Sequence, residues 1–267
     1  FIVSLMTLFS EADFLSWGWR IPFLLSSVLV LLGLWIRKDI DETPDFQKVK
    51  ASGQVAKAPL RDTLKHHWRE VLIAAGLKVV ETAPFYIFST FVVSYATSTL
   101  TYQKSQALEA VTLGALVATI MIPLMGLLSD KVGRQRMYAI SVFVLGLFIV
   151  PWFMLLNTGT TWGIVLATVI AFGVLWAPVT AVLGTLCSEI FSANVRYTGI
   201  TLGYQLGAAL AGGTAPLIAT GLLAKYDGDW VPVAWYLAVT VTISLIAIFC
   251  ASRVKRATLI QAQPERL

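Results

Sequence analysis

Cysteine is nearly absent: Cys187 and Cys250 are the two in 267 residues, far apart and each in or beside an apolar run. That excludes a disulfide framework and a thiolate zinc cluster, and leaves two buried thiols as the reading. Histidine is as scarce. His66 and His67 are adjacent, and neighbours on a helix do not converge on one ligand, so no metal and no cofactor is expected. Charged residues make up only 13%. A nucleophile elbow, a phosphate loop and a pair of catalytic carboxylates are all missing, which argues against an enzyme.

What the chain has is apolar length. Hydrophobic residues make up 57% and the mean hydropathy is +0.76, more apolar surface than a soluble core can hide. Runs of about 20 apolar residues, enough to cross a bilayer, recur about six times, after a truncated run at Ile2 to Phe9. The expected class is all-α and integral to a membrane. A net charge of +5 is by itself compatible with nucleic acid as a partner, but the basic residues sit in alternate loops rather than on a stripe with interleaved aromatics. Arg37, Lys38, Lys131, Arg134, Arg136, Arg196, Arg253, Lys255 and Arg256 fall on one side, and Arg20, Lys104 and Lys225 on the other. That bias places the first group in the cytoplasm, in a multi-pass protein of an inner or plasma membrane, with no nucleic acid bound.

The polar stretch from Gly126 to Tyr138 organises the rest. It separates two apolar runs, carries Asp130, Lys131, Arg134 and Arg136, and has Gly126 and Gly133 to let the chain turn tightly. It resembles the Gly-x-Leu-Ser/Ala-Asp-Lys/Arg-x-Gly-Arg-Lys/Arg signature of the major facilitator superfamily, with Gln135 where a second basic residue is common and Arg136 beside it. Gly18 to Phe23 with Glu42 to Pro44, and Ser188 to Gly199 with Gly212 to Pro216, are similar to the metabolite:proton symporter branch, with Ser192 where a proline is frequent.

The resemblance implies the C-terminal part of a twelve-helix transporter, beginning in helix five. Residues 1–36 would be the end of the N-terminal bundle, a truncated helix plus one span. Residues 37–68 would form the cytoplasmic linker and 69–253 a six-helix C-terminal bundle. Residues 254–267 would be a cytoplasmic tail, polar and disordered. The missing N-terminal helices of the same chain would supply much of the substrate cavity.

Candidate site residues concentrate in the span from about Val71 to Ala96, which buries Lys78, Glu81 and Tyr86 along with Pro84. Lys78 and Glu81, three apart, share a helical face, and ionisable groups at membrane depth usually face a bundle interior or an aqueous cavity. They read either as a structural ion pair or as handlers of substrate or protons. Glu109 is shallow, an interfacial carboxylate or a coupling group. Trp176, beside Pro178, reads as a substrate contact or as packing. Gly203, Gly207 and Ala211 form a face for close helix approach, interrupted by Tyr204 and Gln205, which serve as interhelical glue or line the cavity. The uncharged helix from Met137 to Leu156 is expected outermost, against lipid, and Pro123 is expected to bend its helix.

At the hinge, Asp130 is expected to be offset by Arg134 and by free N–H groups near Tyr197 and Thr198, with Glu189 as second partner of Arg134 and Arg196 in the same cluster. The resemblance implies that this cluster is a conformational latch. The leading functional expectation is a secondary active transporter, moving a small polar metabolite, a carboxylate or compatible solute, with protons by alternating access. The competing expectation is a non-transporting sensor or scaffold, which would need a folded output domain that neither linker nor tail can hold.

Overall fold

A computed structural model describes residues 11–38, 47, 59–192 and 195–261, and its described residues form helices and no strand. The chain divides into a unit up to Gln54 and a second from Val55 onward. In the first, α1 (Glu11–Ser16) leads through a 3-10 turn, Gly18–Arg20, into α2 (Ile21–Lys38). The Arg20 guanidinium lies 4.4 Å over the Trp19 ring and donates to the Ser16 carbonyl at 2.6 Å, the ring and cation pairing that suits a headgroup boundary. The expected truncated helix at Ile2 to Phe9, most of the linker and the chain beyond Gln261 lie outside the described residues.

The second unit begins with α3 (Pro59–His66) and continues as six long helices: α4 (Trp68–Ser98), α5 (Lys104–Val132), α6 (Arg134–Leu156), α7 (Thr161–Ser188), α8 (Arg196–Lys225) and α9 (Val231–Gln261). With Gly18–Ile36 in the first unit, seven described helices are long and apolar enough to cross a bilayer. Three of the six contain a π-helical segment, at Ile87–Phe91 in α4, Val169–Leu175 in α7 and Ala208–Gly212 in α8. Such wide turns leave backbone groups open to other partners.

Several boundaries differ from expectation. The hinge is far tighter than the stretch from Gly126 to Tyr138: α5 runs on to Val132, α6 starts at Arg134, and Gly133 alone joins them with φ +96°. Gly133 N–H donates to the Ser129 carbonyl and its own carbonyl accepts from Met137, so one residue ends one helix and starts the next. Only a residue without a Cβ adopts that φ cheaply. Gly126 lies within α5 and takes no part in the turn. Pro123 lies inside α5 without ending it. The tail is also more ordered than expected, since α9 continues to Gln261 through Lys255, Arg256 and Leu259, all good helix formers.

α4 is the most enclosed span and packs chiefly against α8 and α9, with α7 crossing it. Its contact with α8 depends on missing side chains. A Cβ on Gly203 would come 2.5 Å from the Ala74 Cβ, and one on Gly207 would come 2.5 Å from the Ala75 carbonyl oxygen, so the expected small-residue face does meet a neighbour at backbone distance.

The placing of Met137 to Leu156 as the outermost helix is wrong. Tyr138, Val142, Leu145, Ile149, Trp152 and Phe153 are buried, while Ile140, Phe143, Leu147 and Met154 on the other face are exposed. α6 packs on α7 and α9. Among the six long helices of the second unit the barest is α5, whose span is 11% buried against 39% for α6. Lack of charge shows that a helix has apolar surroundings, and in a membrane both lipid and other helices are apolar.

Candidate functional site

The middle of α4 carries the charged cluster. Lys78 Nζ lies 2.5 Å from Glu81 Oε2, with the two side chains only 17% and 13% exposed. Glu81 is held on both oxygens: Thr180 Oγ1 on α7 donates to Oε1 at 2.7 Å, and Thr82 Oγ1 donates to Oε2 at 2.9 Å. On α8 the Tyr204 ring offers its face to the Lys78 ammonium at 4.8 Å, a contact that gains strength where water is excluded. Both charges therefore turn between α7 and α8, as their cost in hydrocarbon requires.

Neighbouring helices brace the α4 backbone on either side of this pair. Trp176 Nε1 on α7 donates to the Glu81 carbonyl at 2.6 Å. Tyr138 Oη on α6 donates to the Leu77 carbonyl at 2.5 Å. Ser244 Oγ on α9 donates to the Gly76 carbonyl at 2.6 Å and accepts from Val80 N–H at 3.1 Å. Gly76 and Val80 are the two ends of one i, i+4 rung, so the Ser244 hydroxyl bridges a rung of the helix ladder. Each contact fixes backbone within one turn of Lys78 or Glu81, which limits how the pair can move independently of α6, α7 and α9.

The expected site residues part company here. Lys78, Glu81, Trp176 and Tyr204 come together, with Trp176 acting through its N–H on backbone and through its ring on Phe85 and Phe172. The Tyr204 hydroxyl is buried without a hydrogen-bond partner among the described residues and lies against the Cys187 thiol. Tyr86 does not join: it is exposed, edge-on to Phe85, and its hydroxyl makes no hydrogen bond among the described residues. Gln205 is exposed and unbonded on the same terms. Glu109 is exposed near the start of α5. Sequence reasoning missed Thr180, Thr82, Ser244 and Tyr138 as partners of the charged helix. Thr82, adjacent to Glu81, was the one with a local signal.

The hinge builds a second charged cluster. Arg134 spreads its fork between Glu189 Oε1 at 2.6 Å and Asp130 Oδ1 at 3.2 Å, joining the ends of α5 and α7 to the start of α6 around a cleft of about 420 Å³. The expected contact of Asp130 with N–H groups near Tyr197 and Thr198 is not formed. Its carboxylate meets Arg134 one turn on, across Gly133, and its side chain is 61% exposed. Arg196 does not reach Asp130 either; its Nε donates to the Phe191 carbonyl at 3.4 Å and pins the segment before α8.

Known proteins agree with this architecture. The model of the Major Facilitator Superfamily matches residues 5–212 and 85–266. The shikimate transporter of Escherichia coli K12 is 31% identical over 258 residues, covering 96% of this chain and 58% of that protein. The glycine betaine/proline/ectoine/pipecolic acid transporter OusA of Dickeya dadantii is 29% identical over 257 residues, 92% of this chain and 50% of its own. The proline/betaine transporter of Escherichia coli K12 is 29% identical over 254 residues, again 92% and 50%. The chain thus spans about half the length of the curated relatives it matches. No solved structure matches it. Helices long and apolar enough to cross a bilayer seven times, and a family match over most of the sequence, make this a multi-pass membrane protein that belongs to the Major Facilitator Superfamily.

Proposed function

We propose that this chain is the C-terminal part of a secondary active transporter that carries a small polar metabolite together with protons by alternating access. Residues 69–253 act as its C-terminal bundle, working against N-terminal helices of the same protein, with the linker, the Gly133 hinge and the C-terminus in the cytoplasm. The observation that carries the reading is the Lys78–Glu81 pair, set in the most enclosed span and held from α7 and α8. A pair kept only for stability gains little over apolar packing, whereas ionisable groups at membrane depth commonly mark ion or substrate pathways. The relatives named as transporters of shikimate, and of proline and betaine, support a carboxylate or compatible solute as cargo.

The hinge cluster fits a latch in this scheme. Arg134 ties α5, α6 and α7 at one end of the bundle, and separating those ends would open that end.

Uptake of labelled shikimate, proline and glycine betaine by the full-length protein in proteoliposomes, with and without a pH gradient, tests the reading. Accumulation driven by an inward proton gradient is expected for at least one of the three. Uptake of none, or uptake indifferent to the gradient, would overturn it.

A further inference from the structure

We infer that Lys78 and Glu81 form an exchangeable charge pair in which the carboxylate of the solute takes the place of Glu81 on the Lys78 ammonium, so that a proton and a monocarboxylate must travel together. The inference rests on the symport reading above and adds the cargo's chemical class and the residue that carries the proton.

The geometry supplies the parts. Glu81 has a donor that does not depend on the Lys78 ammonium, Thr180 at Oε1, and Thr82 Oγ1 lies 2.9 Å from Oε2 with the Lys78 backbone carbonyl as its other acceptor at 3.0 Å, so the Glu81 carboxyl group keeps neighbours when the ammonium leaves. Both hydroxyls can also accept, and so can serve the protonated acid. Lys78 has three N–H donors; one points to Glu81 and the Tyr204 ring face lies near the ammonium. A partner exchanged at the ammonium therefore leaves the cation–π contact in place. Trp176, Tyr138 and Ser244 hold the α4 backbone on both sides, so the exchange is assigned to the two side chains and not to a shift of the α4 backbone.

The remaining ionisable groups around the pair are Cys187 on α7, Tyr204 on α8 and Tyr138 on α6, while α9 brings the Ser244 hydroxyl. Thiols and phenols keep their protons near neutral pH. That leaves the Glu81 carboxylate as the group that takes up and gives back a proton.

Coupling then follows from charge. The empty site holds one ammonium and one carboxylate, with net charge zero. A proton from water on one side binds a Glu81 oxygen; Lys78 stays protonated and takes the solute carboxylate, and the loaded site is again neutral. On the other side the solute leaves, Glu81 returns its proton to water, and the pair closes. A proton without solute leaves the site at +1, and solute without a proton leaves it at −1. Either charge is costly in a largely enclosed site, so only the empty and the doubly loaded forms cross readily. One proton moves with each monoanion, and the cycle carries no net charge.

The test uses full-length protein in proteoliposomes with labelled shikimate and lactate, and their neutral amides as controls. Wild type should accumulate a monocarboxylate under a pH gradient, without current, and should not accumulate its amide. E81Q should lose accumulation driven by the gradient, and whatever exchange it retains should no longer vary with pH. K78Q should lower uptake by on the order of a hundredfold. The double variant K78Q/E81Q has no unpaired charge and should fold; it should show no accumulation driven by pH. Gradient-driven accumulation that survives E81Q or the double variant overturns the exchange while leaving the symport reading in place. Equal uptake of the amide, a current accompanying monocarboxylate uptake, or no uptake of either monocarboxylate also overturns it. Wild-type uptake indifferent to the gradient removes the symport reading, and this inference with it.

Discussion

Two cation–carboxylate clusters hold this bundle, one halfway along α4 and one at the Gly133 hinge, and the same chemistry stands in opposite surroundings. Lys78 and Glu81 are 17% and 13% exposed and are held from two neighbouring helices, α7 and α8. At the hinge Arg134 is 35%, Glu189 29% and Asp130 61% exposed. Burial raises the cost of breaking a pair because the survivor is left charged and poorly solvated. Exposure lets water and salt screen the loss. The inner pair should thus be costly to split and slow to rearrange, while the hinge cluster should open and close at small cost, as a latch must.

The largest effect expected is from splitting the inner pair. Lys78→Met alone leaves Glu81 without its counter-charge and should destabilise the protein by about 3 kcal/mol, the lower end for a broken buried pair. The double variant Lys78→Met with Glu81→Met should recover most of that loss. Thermal unfolding of the purified full-length protein in detergent reads both. If the single variant is as stable as the double, the pair is better hydrated than its burial suggests and the contrast between the clusters weakens.

Next come the glycines, which separate the two regions in another way. Gly207→Ala would put a Cβ 2.5 Å from the Ala75 backbone oxygen and 2.7 Å from the Lys78 Cβ, whereas a Cβ on Gly126 meets nothing within 4 Å. Overpacking at Gly207 should cost about 1–3 kcal/mol, and Gly126→Ala should gain up to about 1 kcal/mol through helix propensity. Folded yield and unfolding temperature of the two variants give the answer. Equal behaviour would show that α4 and α8 can move apart freely.

These two glycines also show what the sequence makes legible. Helical spans are visible because a bilayer demands about 20 apolar residues in a row, and Lys78 and Glu81 stand out because charge at that depth is rare. The small-residue face at Gly203 and Gly207 was readable for the same reason: close approach leaves a repeating spacing. Gly126 and Gly133 look alike in the sequence, yet only one has the positive φ that ends a helix, since a glycine that must bend and one that merely sits in a helix leave the same letter. The buried face of α6 was unreadable because lipid and protein neighbours select the same apolar residues. Thr180 and Ser244 were hidden because hydroxyls are common in membrane helices, and only the fold shows which of them meets a carboxylate or bridges a helix rung.

A smaller effect is expected from Arg134→Lys. Lysine keeps the charge but not the fork that reaches Glu189 and Asp130 at once. Losing one of two exposed contacts should cost at most about 1 kcal/mol of stability, so unfolding should barely register it. Labelling of a cysteine placed in the cleft beside Glu189 should nevertheless rise, because a two-state opening responds to small biases. Unchanged labelling with unchanged uptake would reduce the hinge to a basic loop that sets topology.

The smallest effect separates the two acids that Arg134 holds. Glu189 sits 2.6 Å from Nη1, is half as exposed as Asp130, and caps the end of α7, a different helix from the one Arg134 starts. Asp130 sits 3.2 Å from Nη2, one turn away across Gly133, so its contact closes within one hinge. It also lies in the last turn of α5, where free carbonyl groups disfavour a negative charge. Removing its charge therefore relieves one repulsion while losing one weak attraction, and the two nearly cancel. Asp130→Asn should change stability by less than about 0.5 kcal/mol, and Glu189→Gln, which cuts the contact between helices α6 and α7, should exceed it. In a double-mutant cycle with Arg134→Lys the Glu189 coupling should be the larger, and raising salt from low to physiological strength should shrink the Asp130 term first. If Asp130→Asn opens the cleft to labelling more than Glu189→Gln does, the latch turns on the hinge carboxylate, and the more exposed contact outweighs the shorter one.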